Sequence, residues 1–176
     1  VQQQRDMGCE RPTHIFLQAG VGSFAASMVA AALSSHGEYC PKIVIVEPDQ
    51  ADCLYRSALA GDGKPHAVIG DLATIMAGLA CGEPNPIAWD ILRAHANCFV
   101  SCPDEVAATG MRVLGNPLGE DQRVIAGESG AVTLGLLYSL MRSPRLAQLC
   151  EQLELGPTSH ILLISTEGDT DPVNYR

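Results

Sequence analysis

The fold is decided by residues 13–32, THIFLQAGVGSFAASMVAAA. Residues 14–17 are typical of a short buried strand, and the small apolar residues from Ser23 onward are typical of a buried helix. The glycine turn that joins them, residues 20–23, leaves several backbone N–H groups unpaired at the helix start. These groups and the helix dipole favour an anion, and two glycines let the main chain approach it closely. We therefore predict a strand, turn and helix that can hold a phosphate group.

The composition is that of one globular domain, which we place at residues 1–176. Of the 176 residues, 47% are hydrophobic but only 5% are aromatic, so the apolar weight lies in small and aliphatic side chains. That mixture is typical of a sheet buried on both faces by helices. The net charge of −9 argues against nucleic acid, which favours a basic partner. No apolar run reaches the roughly 18 residues that a membrane helix needs without polar interruption, so no membrane partner is expected.

Strands and helices alternate along the chain, which predicts right-handed βαβ units and a mostly parallel sheet. The run KIVIV at residues 42–46 indicates a central strand, because it is continuous and β-branched. We expect a three-layer αβα architecture with its ligand at the carboxyl ends of the strands, after Leu17, Val46 and Ile164. The other predicted strands are residues 98–101 and 160–164. The predicted helices are residues 2–9, 23–35, 49–60, 72–79, 87–95, 131–141 and 144–153, with one more starting at 103–105 and a short strand or turn at 124–130.

The seven cysteines are odd in number and too widely spaced for a disulfide framework. Cys98 and Cys102 lack a second pair or a nearby histidine, so we interpret them as buried side chains and predict no metal site. A reducing cytoplasm is the expected location. Cys53 and Cys81 bracket the loop at residues 61–65, and we consider a disulfide between them, with two separate thiols as the alternative.

Several site-like residues allow two interpretations. The turn GVGSFA lacks the third glycine of a dinucleotide motif and the Gly-Lys-Ser/Thr of a P-loop, so a merely structural turn remains an alternative. Ser165 follows the last strand, where its hydroxyl could bond a neutral ring nitrogen or cap a turn. Glu128 could cap a helix or line a site. The five histidines are scattered, and neither Lys42 nor Lys64 lies in an apolar pocket, so we assign no catalytic residue.

Six segments carry a resemblance to a known family, and they follow one another in the family's order. The chain resembles the C-terminal half of fold type II pyridoxal-phosphate enzymes of the tryptophan synthase β-like superfamily. Within this superfamily, the sequences of residues 73–86 and of the segment ISTEGDTDP are similar to those of the diaminopropionate ammonia-lyase family. The six segments are QAGVGSFAAS, IVEPDQADC, TIMAGLACGEPNPIAWDIL, SCPDEVAATGMRVLG, AGESGA and LLISTEGDTD.

The resemblance implies the cofactor pyridoxal 5'-phosphate and an α,β-elimination of 2,3-diaminopropionate to pyruvate and ammonia. It implies that Ser165 faces the pyridine nitrogen with Thr166 beside it, and that Glu47 and Glu128 lie near the cofactor. A neutral hydroxyl at that place would keep the ring nitrogen unprotonated. The residues that match the phosphate loop are Gly20, Val21, Gly22, Ser23 and Phe24.

The departures from the family pattern are equally informative. The family's Schiff-base lysine belongs to the N-terminal half, and neither Lys42 nor Lys64 matches its motif. The chain starts VQQQRDMGCERP, without an initiator methionine or a signal-peptide pattern, and we expect a longer parent polypeptide. The chain alone would then be inactive and would expose an apolar face. We expect that a second copy covers this face, as a homodimer, or that the chain alone is poorly soluble. A serine/threonine dehydratase of the same fold and a non-catalytic module that binds an anion or a partner are the alternatives.

Overall fold

The computed structural model describes residues 11–36 and 39–168. Its sheet has four strands in the order β3-β2-β1-β4, and every neighbouring pair is parallel, which confirms the predicted sheet type. His14 of β1 lies beside Lys42 on one side and Ile161 on the other, and this register aligns the carboxyl ends of the inner strands. The strands are β1 (His14–Gln18), β2 (Lys42–Pro48), β3 (Cys98–Cys102) and β4 (Ile161–Leu163).

Helices connect the strands and also follow one another between β3 and β4. Two short 3-10 segments, Ala77–Leu79 and Pro144–Leu146, interrupt the connections. The α-helices are α1 (Ser23–His36), α2 (Cys53–Ala60), α3 (Pro86–His95), α4 (Asp104–Gly115), α5 (Glu128–Arg142) and α6 (Ala147–Leu153).

Two apolar cores lie on the two faces of the sheet, because alternate residues of a strand point to opposite sides. Ile15 and Leu17 of β1 pack with Ile43 and Ile45 of β2 against α1, α2 and α3. Phe16 belongs to the other core, together with the remaining apolar residues of β2 and side chains of α4, α5 and α6. The predicted three-layer αβα architecture is therefore confirmed.

The inner and outer strands differ in burial as their positions require. The apolar residues of β2 are completely buried, which confirms the prediction that KIVIV is a central strand. Residues 160–164 were expected to form a buried strand, but β4 covers only Ile161–Leu163 and is half-buried. The reason is its position at the edge of the sheet, where only β1 pairs with it.

Two predicted helices in the region after β2 are shorter in the structure than expected. The helix expected at residues 49–60 starts only at Cys53, because β2 continues to Pro48 and Asp49 donates its N–H to the carbonyl of Cys102. The helix expected at residues 72–79 is reduced to the 3-10 turn Ala77–Leu79. Leu72 has a φ of +52°, which a right-handed helix does not allow.

Three further boundaries need correction or fall outside the described residues. The helix expected to start at residue 131 starts at Glu128, and residues 124–127 form no strand. The helix expected at 144–153 begins as the 3-10 turn and becomes α-helical at Ala147. The helix predicted at residues 2–9 lies outside the described ranges. Among the described helices, none is long and apolar enough to cross a membrane.

Candidate functional site

A cavity of about 410 Å³ opens at the carboxyl edge of the sheet, where the parallel topology places ligands. The end of β1, the glycine turn and the start of α1 form one part of its wall. The segment after β4, the start of α5 and the 3-10 turn form the rest. The lining residues are Gln18, Ala19, Gly20, Val21, Gly22, Ser23, Phe24, Gly78, Leu79, Cys81, Ser129, Thr166 and Glu167.

The glycine turn presents backbone N–H groups that have no backbone partner in the described part of the chain. Within residues 11–36 and 39–168, no backbone carbonyl accepts from the amides of Val21, Gly22, Ser23 or Phe24. Helix α1 starts at Ser23 and carries no acidic residue in its first turn. The helix dipole therefore adds to the N–H groups without a competing carboxylate, and the turn suits an anion.

Contacts from behind the turn hold its shape. The amide N–H of Asn85 donates to the carbonyl of Val21 (2.8 Å), and the Asn85 side chain donates to Ser23 Oγ (3.1 Å). Gly22 has a φ of +93°, and a Cβ atom there would lie 3.1 Å from Leu92 Cδ1. Only glycine fits this backbone conformation without strain, so the prediction of a tight glycine turn is confirmed.

Glu167 forms part of the wall and was not singled out from the sequence. Its carboxylate accepts from the N–H of Ser129 (2.9 Å), and its carbonyl accepts from the N–H of Gly127 (3.0 Å). Glu167 thus caps the N-terminus of α5. Ser129 Oγ in turn accepts from the N–H of Gly78 (3.2 Å). These bonds tie three distant segments into one wall. The sequence signal was the ISTEGDTD segment, which contains Glu167 next to two residues that were singled out.

The structure separates the two hydroxyl residues predicted beside the ring nitrogen. Thr166 lines the cavity, and Gln18 Nε2 donates to its hydroxyl (2.8 Å). Ser165 is absent from the lining; its hydroxyl donates to the carbonyl of Glu167 (3.3 Å) and lies beside Gly130. Gly20, Val21, Gly22, Ser23 and Phe24 all line the cavity together with Thr166.

The two acids expected near the cofactor are outside the cavity wall. Glu47 is completely buried and accepts from the amides of Leu54 (2.9 Å) and Tyr55 (2.7 Å), so it caps α2. Burial raises the pKa of Glu47 to about 8, and the repulsion of Asp52 adds to the increase. Glu128 is half-buried in the first turn of α5 and is absent from the lining.

Cys53 and Cys81 are both free thiols, so the considered disulfide between them is wrong. Both lie beside the turn: Cys53 Sγ is 3.7 Å from the carbonyl oxygen of Gly20, and Cys81 Sγ would lie 3.1 Å from a Cβ atom on Gly20. Burial raises the pKa of Cys53 to about 12, and the neighbouring Glu47 acts in the same direction. A protonated thiol of this kind is inert.

Both lysines of the sequence lie away from the cavity lining. Lys42 stands at the amino end of β2 and pairs with Glu154 (2.9 Å). Lys64 is exposed in the loop after α2. Neither lysine of the chain is therefore placed to form an imine with a carbonyl group bound in the cavity.

The residues of the cavity fit a phosphorylated, polar aromatic ring. The unpaired amides of the turn suit the phosphate, and the Thr166 hydroxyl lines the same cavity as a partner for a ring nitrogen. The sequence model of a family described as "Pyridoxal-phosphate dependent enzyme" matches residues 1–167. The chain belongs to this family.

Known proteins resemble the chain over its whole length. The diaminopropionate ammonia-lyase of Escherichia coli strain K12 is 53% identical over 176 residues, which are 100% of this chain and 44% of that protein. A crystal structure of the Escherichia coli enzyme, in complex with an aminoacrylate–PLP azomethine reaction intermediate, matches with a TM-score of 0.89 and 52% identity. That match covers 100% of this chain and 44% of the solved one. This chain thus spans less than half the length of these relatives.

A more distant structure shares the fold alone. The processed form of threonine deaminase isoform 2 from Solanum lycopersicum is 16% identical, with a TM-score of 0.72. The match covers 98% of this chain and 45% of the deaminase chain. The predicted fold type II architecture is therefore confirmed by both close and distant structures.

Proposed function

We propose that this chain forms the phosphate-binding side of the cofactor site of a diaminopropionate ammonia-lyase. That enzyme would convert 2,3-diaminopropionate and water into pyruvate and two molecules of ammonia. The observation that carries the proposal is the cavity itself, which combines an unpaired amide turn with the Thr166 hydroxyl. The 53% identity to the Escherichia coli enzyme supports the choice of substrate.

Each part of the wall has a role in this proposal. The amides of Gly20, Val21, Gly22, Ser23 and Phe24 bind the phosphate, and the positive end of α1 stabilises its charge. Thr166, with Ser165 next to it, supplies a neutral hydroxyl to the ring nitrogen. When bound, pyridoxal phosphate supplies the electron sink that stabilises a carbanion at Cα. Glu47 acts at a distance by capping α2, whose Leu54 packs against Gly22.

The reactive lysine comes from outside this chain, which is the C-terminal, cofactor-phosphate portion of the enzyme. Support comes from the positions of Lys42 and Lys64, neither of which lines the cavity. A direct test incubates the polypeptide of residues 1–176 with pyridoxal phosphate and then with borohydride. We expect no covalent adduct on Lys42 or Lys64 by peptide mass mapping. A reduced adduct on either lysine would contradict this assignment.

We also propose that the enzyme is a cytoplasmic homodimer. Large apolar side chains remain exposed on this chain, including Ile69, Ile87, Leu118 and Met141, and these side chains are available to a second subunit. Free thiols at Cys53 and Cys81 agree with a reducing compartment. Sedimentation equilibrium of the complete polypeptide should give twice the chain mass, and a monomer would contradict the dimer.

The activity is tested on the complete polypeptide that contains this sequence. We expect pyruvate and ammonia from 2,3-diaminopropionate, with much lower kcat/KM for threonine and serine. A preference for threonine or serine would instead identify a dehydratase of the same fold. Binding of pyridoxal phosphate without turnover of any of the three amino acids would favour a non-catalytic module.

A further inference from the structure

Gln18 occupies a buried position between the cavity and the end of the sheet. It is the last residue of β1, lies beside Val46 of β2 and is only 2% exposed. Its Nε2 atom is 2.9 Å from the carbonyl oxygen of Ile164 and 2.8 Å from Thr166 Oγ1. One amide group therefore joins the end of β1 to the segment that follows β4.

The orientation of this amide is fixed by chemistry. The Ile164 carbonyl can only accept a hydrogen bond, so the Gln18 side chain must direct its NH2 group, and not its oxygen, toward Ile164. The same NH2 group then donates to Thr166. Gln18 Oε1 is left buried without a partner among the described residues. A buried unpaired oxygen is unfavourable, and its retention indicates that the donor is needed on the other side.

This orientation determines what Thr166 can do. Because Thr166 Oγ1 accepts from Gln18, its own proton is free for another acceptor. The hydrogen bonds found within residues 11–36 and 39–168 include none donated by Thr166, and the residue lines the cavity. A group that meets this hydroxyl in the cavity can therefore accept a hydrogen bond from it, as an unprotonated pyridine nitrogen does.

We infer that Gln18 is a positioning residue, which holds the Thr166 hydroxyl so that it donates to the ring nitrogen of the cofactor. The inference rests on the proposed pyridoxal-phosphate site. Gln18 lines the same cavity, and in this proposal it acts through Thr166. The site thereby favours the neutral form of the pyridine ring, which can accept this hydrogen bond.

The test compares two cofactors on the complete polypeptide. One is pyridoxal phosphate, and the other is its deaza analogue, in which a C–H group replaces the ring nitrogen. Dissociation constants are measured for the wild type, Gln18→Met, Thr166→Val, the double variant and Thr166→Ser. Gln148→Met, at an exposed position on α6, is the matched control.

We expect Gln18→Met and Thr166→Val each to weaken pyridoxal phosphate binding about threefold to tenfold, the value of one hydrogen bond. The deaza analogue should bind all variants within about twofold, because it offers no acceptor to lose. The double variant should be no weaker than Thr166→Val, and Thr166→Ser should restore the affinity. Gln148→Met should change neither constant.

Other outcomes separate the inference from the proposed function. Equal weakening of both cofactors by Gln18→Met would assign Gln18 a purely structural role and overturn the inference. If Gln18→Met does not fold, Gln18→Leu is measured instead; it also removes the donor without adding a charge, and it should weaken pyridoxal phosphate alone. A wild type that binds neither cofactor would overturn the proposed site itself.

Discussion

Gly110 of α4 and Gly135 of α5 are in direct contact where the two helices cross. A Cβ atom on Gly110 would lie 2.9 Å from the amide nitrogen of Gly135 and would overlap the carbonyl oxygen of Ala131. A Cβ atom on Gly135 would overlap the carbonyl oxygen of Val106 in the same way. Backbone packs against backbone here, and neither helix can yield by rotating a side chain. The same helix α5 begins at the cavity, where Ser129 lines the wall.

Gly135→Ala should therefore destabilise the protein, although alanine is the better helix former. Overpacking of this kind costs about 1 to 3 kcal/mol, and the overlap with backbone places it at the upper end. Urea unfolding of the complete polypeptide measures the difference. Gly156→Ala is the control, because nothing lies within 4 Å of a Cβ there. Equal unfolding midpoints for the two variants would contradict the packing described.

Gly22→Ala should weaken both stability and cofactor binding. Gly22 and Gly61 both have positive φ, +93° and +67°, so alanine costs about 1 to 2 kcal/mol of backbone strain at either site. Only Gly22 lines the cavity, whereas Gly61 has nothing within 4 Å of a Cβ. We expect both variants to unfold earlier, but only Gly22→Ala to bind pyridoxal phosphate more weakly. Loss of binding in Gly61→Ala as well would remove the special role of the turn.

The sequence predicted those parts of the fold and site that depend on local signals. The strand, turn and helix of residues 14–36 follow from an apolar run, two glycines and small residues, all adjacent in the chain. The central position of β2 follows from its continuous β-branched run. Each of these features is decided by neighbours along the chain, so the pattern of residues contains the necessary information.

The features that were missed depend on contacts between distant segments. Residues 72–79 have a helical apolar pattern, but Asp104 binds Thr74 and the N–H of Ile75, and most of this segment is not helical. Gln18 and Glu167 line the site only because β1 pairs with β4. The resemblance implies Ser165 facing the ring nitrogen with Thr166 beside it, and of these two residues Thr166 lines the cavity. No local pattern distinguishes two adjacent hydroxyl residues.

Asp104→Asn should loosen the segment that contributes Gly78, Leu79 and Cys81 to the cavity. Its two carboxylate oxygens accept from Thr74 Oγ1 (2.5 Å) and from the N–H of Ile75 (3.1 Å), and an amide can accept at only one of them. We expect a loss of about 1 to 3 kcal/mol in unfolding free energy and faster proteolysis within residues 67–82.

Glu105→Gln is the matched control for this substitution. Glu105 lies in the same first turn of α4 as Asp104, but its side chain is exposed. Its substitution removes the same charge from the start of the helix. Its effect should stay within about 0.3 to 1 kcal/mol, the value of the helix dipole alone. If a protease cleaves residues 67–82 at the same rate in both variants, Asp104 does not hold this segment in place.

Glu47 should make the stability of the protein depend on pH in an unusual direction. Burial raises its pKa in the folded state from 4.5 to about 8. Between these values the folded protein keeps a proton that the unfolded chain has released, so its contribution to stability is largest below pH 4.5. The contribution declines as the pH rises through about 8, by up to about 1.4 kcal/mol per pH unit.

Glu47→Gln isolates this contribution, because an amide of nearly the same shape does not titrate. The unfolding free energy of the wild type minus that of Glu47→Gln should decrease steadily from about pH 5 to about pH 8, the range between the pKa values of Glu47 in the unfolded and folded states. Glu151→Gln, at an exposed position on α6, should leave the pH profile unchanged. A difference that is constant with pH would show that Glu47 is already ionised at pH 5 and is held by the amides of Leu54 and Tyr55 strongly enough to overcome its burial.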